Sequence, residues 1–113
     1  MTVVETAEFL NRASSLMDED EREALVAWLA SHPEAGHVMP GTGGVRKLRW
    51  ALAGRGKRGG ARVIYYLHNE SVPLFLLSAY GKNQKANLGA AERNEMRKLI
   101  PLLVAGYLRK RAK

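Results

Sequence analysis

Between Gly41 and Lys85 the chain sets nine cations against a single acid, Glu70: Arg46, Lys47, Arg49, Arg55, Lys57, Arg58, Arg62, Lys82 and Lys85. A short segment with that excess is suited to an anionic partner. If the anion is RNA, cleavage without a metal has three requirements. A 2′-hydroxyl must lose a proton, the in-line phosphorane must be stabilised, and the leaving 5′-oxygen must gain a proton. Histidine is the ordinary acid or base near neutral pH. Its three occurrences are poorly placed for that work: His32 closes a helical pattern, His37 falls in a loop, and His68 ends a strand pattern and reads as a turn residue. Lysine, arginine and tyrosine remain. Arg62 is the first candidate, because its guanidinium fork can hold two phosphoryl oxygens at once and stays charged at any working pH. The plainer reading of Arg62 is a cross-strand surface cation. Lys47 and Arg49 share one face of a strand pattern, and crowding among cations draws lysines in general toward acid–base use.

Other chemistries lack their residues. No GxxxxGK[ST] phosphate loop, no HExxH and no paired carboxylates on the basic segment occur, which argues against a two-metal nuclease. With no cysteine there is neither a thiolate metal site nor a disulfide framework. The expectation is chemistry with no metal and no cofactor.

The elements that position these residues follow from pattern. Thr2–Glu5 is β-branched and reads as a first strand. Thr6 can cap a helix from Ala7, with Phe9, Ala13, Leu16 and Met17 on one face. Asp18 opens a second helix, with Glu21 as its capping-box partner, Leu25, Trp28 and Leu29 as its stripe, and Ser31-His32-Pro33 as its end. Residues 33–44, with two prolines and four glycines, predict a loop. A second strand over Val45–Leu52 points Leu48, Trp50 and Leu52 one way and Lys47 and Arg49 the other. That alternation predicts one face packed on helices and one wet. Gly54, Gly56, Gly59 and Gly60 bracket Arg55, Lys57 and Arg58 in a hairpin loop, followed by a third strand over Ala61–His68 and a turn at Asn69-Glu70-Ser71. Tyr65 and Tyr66 must face opposite ways, so at most one joins the wet face, and Tyr80 is open to either. Val72–Tyr80 is the most apolar run and predicts the central strand, with Pro73 confined to its start. After a polar loop over 81–88, Gly89 to Glu92 opens a last helix striped by Met96, Leu99, Ile100 and Leu103. Pro101 should kink or end it, and the basic tail 109–113 should fray. The fold class is α+β: a small antiparallel β-sheet, an N-terminal helix hairpin on one face and a C-terminal helix at the edge, as one domain over 1–113.

The length of 113 residues allows a single core. The opening MTVVETAEF has two acids and no cationic leader pattern, and no apolar run approaches the roughly 18 residues of a membrane span. The expectation is a soluble cytoplasmic protein with no membrane partner. Charge is segregated along the chain. Residues 1–40 hold two cations and eight acids, a net −6, and residues 41–113 hold sixteen cations and three acids, a net +13, which together give the +7 of the whole. Basicity for solubility alone does not call for such segregation; a directed field toward an anion does.

GTGGVRKLRW, then GRGKRGGARVIYY, then SAYGKNQKANL, in this order, resembles the HigB branch of the RelE superfamily, the toxins of bacterial type II toxin–antitoxin modules. The VVET opening and the two helices before Gly41 fit as well. The resemblance implies an endoribonuclease that cleaves translated messenger RNA in the ribosomal A site, and a HigA-type helix-turn-helix antitoxin as partner. It implies that Arg62, matching the family's GxR-V-x-Y arginine, contacts the scissile phosphate. It places Lys47 and Arg49 at the superfamily's basic strand positions, and Lys82 in a Y-x-K-N-x-K pattern as the proton-transfer partner. Arg46, Arg55, Lys57, Arg58, Asn83 and Lys85 are then RNA or ribosome contacts. The tyrosine that some relatives supply from the last helix has no counterpart near Leu88 or Gly89. Two rival readings use the same patch or scaffold: a non-catalytic nucleic-acid-binding module, and a gyrase inhibitor like the ParE branch. Loss of the strand-face cations would mark the ParE-like reading, and Lys47, Arg49, Arg62 and Lys82 are all present.

Overall fold

Each N-terminal helix begins where a side chain takes an orphaned amide. The computed structural model describes residues 1–52, 60–81 and 89–111. It runs β1 (Val3–Glu5), α1 (Ala7–Ala13), α2 (Glu19–Ser31), β2 (His37–Val38), β3 (Val45–Trp50), β4 (Ala61–Tyr66), β5 (Leu74–Gly81) and α3 (Ala90–Arg111). The Thr6 hydroxyl accepts from the Phe9 amide and donates to the Leu76 carbonyl at 2.7 Å, which ties the start of α1 to β5. Asp18 and Glu21 form the expected capping box, each side chain taking the other's backbone N–H at 2.8 and 3.1 Å. Such caps are worth about 1 kcal/mol each.

The strands form a five-stranded sheet in the order β1-β5-β4-β3-β2. The fold is α+β as expected, but the sheet is mixed: β1 pairs parallel with β5, while β5, β4, β3 and β2 are mutually antiparallel. The middle strand is β4, not the more apolar β5. Apolarity reports burial on both faces, and β5 has that as an interior strand without being the middle one. The segment expected to be all loop contributes β2, two residues that pair with Arg46 and Lys47.

Two cores lie on opposite faces of the sheet. On one, α1 and α2 bury Phe9, Ala13, Leu25 and Leu29 against Leu48, Val63, Tyr65, Leu74 and Leu76. On the other, Met96, Ile100, Leu103, Val104 and Tyr107 of α3 pack against Val45, Ile64, Tyr66, Phe75 and Leu77. The last helix therefore lies across the second face rather than at the edge, and that face is only partly wet. Tyr65 and Tyr66 do point opposite ways, and both are core. α3 also runs unbroken through Pro101, where a kink or an end was expected, and extends to Arg111. The proline removes one intrahelical bond, but it sits on the exposed side, and the apolar stripe holds the helix to the sheet on either side of it.

A bulge decides where Tyr80 points. Between Ile64 and Tyr65 the β4–β5 register shifts from Ile64↔Ser78 to Tyr65↔Leu76. The extra residue lets Phe75, Leu77 and Tyr80 all join the α3 face, although simple alternation would send Tyr80 to the other side.

Tyr65 fastens the crossing from α2 to the sheet. Its hydroxyl accepts from the Gly36 amide at 2.7 Å and donates to the Pro33 carbonyl at 2.8 Å. A β-carbon on Gly36 would fall 2.8 Å from the Tyr65 ring, so glycine is required there. Tyr65→Phe should strand both backbone groups and cost about 1–3 kcal/mol in denaturant unfolding. Burial raises the Tyr65 phenol above its ordinary 10.0, against the opposing pull of the Gly36 amide. Its contribution is thus complete below pH 10 and lost as pH rises through the raised folded value. Wild type and Tyr65→Phe should therefore converge in stability in strong alkali; parallel curves would mean the phenol is not the anchor.

Candidate nucleic-acid interface

Strand alternation sends Val45, Lys47 and Arg49 to one side of β3, and pairing fixes their neighbours. Arg49 is the direct partner of Arg62 on β4, and Arg62 is the partner of Tyr80 on β5. The adjacent row reads His37, Lys47, Ile64 and Ser78 across four strands. Ile64 and Tyr80 belong to the α3-side core, so the cations share a face with that helix. Arg49 is exposed, Lys47 and Arg62 are half-buried, and Tyr80 is buried.

Two arginines directly opposed across an antiparallel pair repel, at a cost of about 0.2–1 kcal/mol. Neither Arg49 nor Arg62 takes a carboxylate among the described residues; Glu5 is engaged far from them, in an ion pair with Arg22 that joins α2 to β1. A β-carbon on Gly60 would lie 3.8 Å from Arg62 Nη1, so the guanidinium leans toward the base of the β3–β4 connection. With no carboxylate partner among the described residues, the two guanidinium forks have the chemistry to hold phosphate oxygens.

The expected site residues fall into three groups. Arg62, Arg49 and Lys47 are brought together. Arg46 is not: it faces the helix-hairpin side, where its Nη1 donates to the Glu34 carbonyl at 3.1 Å and the Gly36 carbonyl at 2.8 Å. Arg55, Lys57, Arg58, Lys82, Asn83 and Lys85 lie outside the described residues. Trp50, Ala61 and Gly81 are register partners at the Arg62 end of the sheet.

Tyr80 and His37 gain significance that the sequence left open. The bulge sets Tyr80 beside Arg62. β2 carries the exposed His37 into register with Lys47, placing an imidazole on the cationic face. The other histidines are elsewhere. His32 stacks on Trp28, with ring centroids 4.4 Å apart. His68 pairs through Nδ1 with the Tyr66 hydroxyl at 2.8 Å, near the opposite end of β4. Burial holds the Tyr66 phenol above its ordinary value, so it stays neutral.

A groove of about 610 Å³ runs beside Tyr80, between α1 and α3. Glu8, Glu92 and Glu95 line it with Arg12, Leu99 and Leu103, a wall unsuited to phosphate. No helix among the described residues is long and apolar enough to cross a membrane. Compared with known families, residues 5–109 match the model described as the RelE toxin of the RelE/RelB toxin–antitoxin system.

Proposed function

The chain belongs to the RelE toxin family and is the toxin of a toxin–antitoxin pair, and from that premise we propose that it is a HigB-type, metal-independent endoribonuclease acting on translated messenger RNA in the ribosomal A site. The observation that carries this reading is the opposed Arg49–Arg62 pair, held by β-sheet register with no counter-charge among the described residues. A pentavalent phosphorane gains negative charge that the substrate phosphodiester lacks, so fixed cations bind it more strongly than the ground state. Arg62 grips the scissile phosphate, with Arg49 and Lys47 beside it. Lys82 is the proton-transfer partner, and His37 is a further candidate on the same face. Arg46, Arg55, Lys57, Arg58, Asn83 and Lys85 contact RNA or the ribosome. The domain acts in the cytoplasm as one unit over 1–113 and needs no cofactor. A HigA-type helix-turn-helix antitoxin neutralises it.

Induced expression with primer extension on a reporter transcript tests the proposal. Discrete 5′ ends should appear within the translated region and vanish when the start codon is removed. Co-expression of the neighbouring helix-turn-helix gene should restore growth and yield a stable complex burying at least about 1,000 Å². Growth arrest with an intact transcript would point instead to a gyrase-directed or purely binding toxin.

A further inference from the structure

Beside the stripe that packs on the sheet, α3 carries a second pattern, whose N-terminal half also borders the groove shared with α1. Glu92, Glu95, Leu99, Leu102, Gly106 and Arg109 are spaced 3-4-3-4-3, the seam spacing of paired helices. Leu99 and Leu102 are 44% and 68% exposed. A β-carbon on Gly106 would meet nothing within 4 Å, so that point of the surface is open to a close neighbour. The stripe is acidic at its N-terminal end, apolar in the middle and basic at its C-terminal end, where Lys110 lies beside Arg109.

We propose that this stripe of α3 is the docking surface for a second copy of the chain, the two helices pairing antiparallel about a twofold axis at their centres. The pattern is its own complement in that arrangement. Leu99 meets the partner's Leu102, Glu95 meets the partner's Gly106, and Glu92 meets the partner's Arg109. An isologous interface requires this: residue i faces j, and j faces i. Antiparallel packing also sets opposite helix-dipole ends side by side. A parallel copy would face acid with acid and base with base. A uniformly acidic or basic partner helix would match one end of the stripe and oppose the other. One helix pair is a small interface, below about 1,200 Å², so the dimer is weak and concentration-dependent. The inference stands on α3 alone and does not depend on whether the chain cleaves RNA.

Sedimentation velocity on the full-length chain, from about 1 to about 300 µM, tests it. The weight-average sedimentation coefficient should rise toward the dimer value. Leu102→Lys should hold the chain monomeric throughout with an unchanged melting profile, because Leu102 makes little contact within its own chain. Glu92→Arg or Arg109→Glu alone should each weaken dimerisation about tenfold, and the double variant should recover most of the loss. A chain that stays monomeric over the range, or dimers indifferent to Leu102→Lys, would overturn the proposal. So would a monomeric chain in which Leu102→Lys breaks the antitoxin complex, since the stripe would then belong to that partner.

Discussion

Arg62→Ala should slow messenger RNA cleavage on programmed ribosomes by roughly 100- to 1000-fold, equivalent to about 3–4 kcal/mol of transition-state stabilisation. Ribosome affinity should change far less, because Lys47, Arg49 and the remaining cations still supply most of the long-range attraction. The effect therefore belongs in the rate of a single turnover, not in half-saturation. Arg62→Lys should recover only part of the loss, since an ammonium cannot make the two parallel contacts of a guanidinium. Stability supplies an independent readout. Removing one arginine of the opposed Arg49–Arg62 pair relieves repulsion, so Arg62→Ala should melt no lower than wild type and be more stable by up to about 1 kcal/mol. A residue kept for structure would lose stability when truncated; one kept for an anion loses activity and gains stability. Wild-type cleavage by Arg62→Ala would make Arg62 a surface cation, and a wild type that binds ribosomes without cutting would favour a binding module.

Features that depend on near neighbours were legible in the sequence. The caps at Thr6 and Asp18 and the strand face shared by Lys47 and Arg49 each follow from a few adjacent residues. Features set by distant pairing were not. Nothing near His37 announces β2, because a two-residue strand exists only through its bonds to Arg46 and Lys47. The parallel seat of β1 beside β5 depends on residues seventy positions away. Tyr80 faces Arg62 only because of the bulge, which leaves no mark in an apolar run such as LFLLSAY. Pro101 misled for a physical reason: the stabilising contribution of sheet packing along α3 exceeds the local cost of one missing hydrogen bond. The same dependence on tertiary context explains why Lys47 and Arg49 could be put on one strand face from the sequence, but Arg62 could not be set opposite Arg49.

The largest expected effect is on association with the ribosome. Four of the eight acids of residues 1–40 lie in α2, which packs on the face opposite Arg49 and Arg62. On the proposed function, the acids of α2 lie behind the sheet from the RNA-facing cations, so attraction and orientation act together. Each phosphate neutralised releases condensed counterions, and a footprint of about 6–10 phosphates loses roughly 10³- to 10⁵-fold in affinity between about 50 and about 200 mM salt. Across that range the Debye length falls below about 10 Å, which weakens steering from cations beyond the contact itself. Equilibrium binding to ribosomes over a salt series should give a steep, linear log–log plot. Arg49→Ala and Lys47→Ala should each lower its slope by roughly 0.7–0.9 if the side chain contacts a phosphate, whereas Arg22→Ala, on α2 and ion-paired with Glu5, should leave it unchanged. Arg46→Ala separates two roles, because its guanidinium already serves the Glu34 and Gly36 carbonyls: a loss of stability with an unchanged slope assigns it to the fold. An affinity indifferent to salt would remove the cationic face from the contact surface altogether, and equal slopes for Arg49→Ala and wild type would move the contact to another part of the molecule.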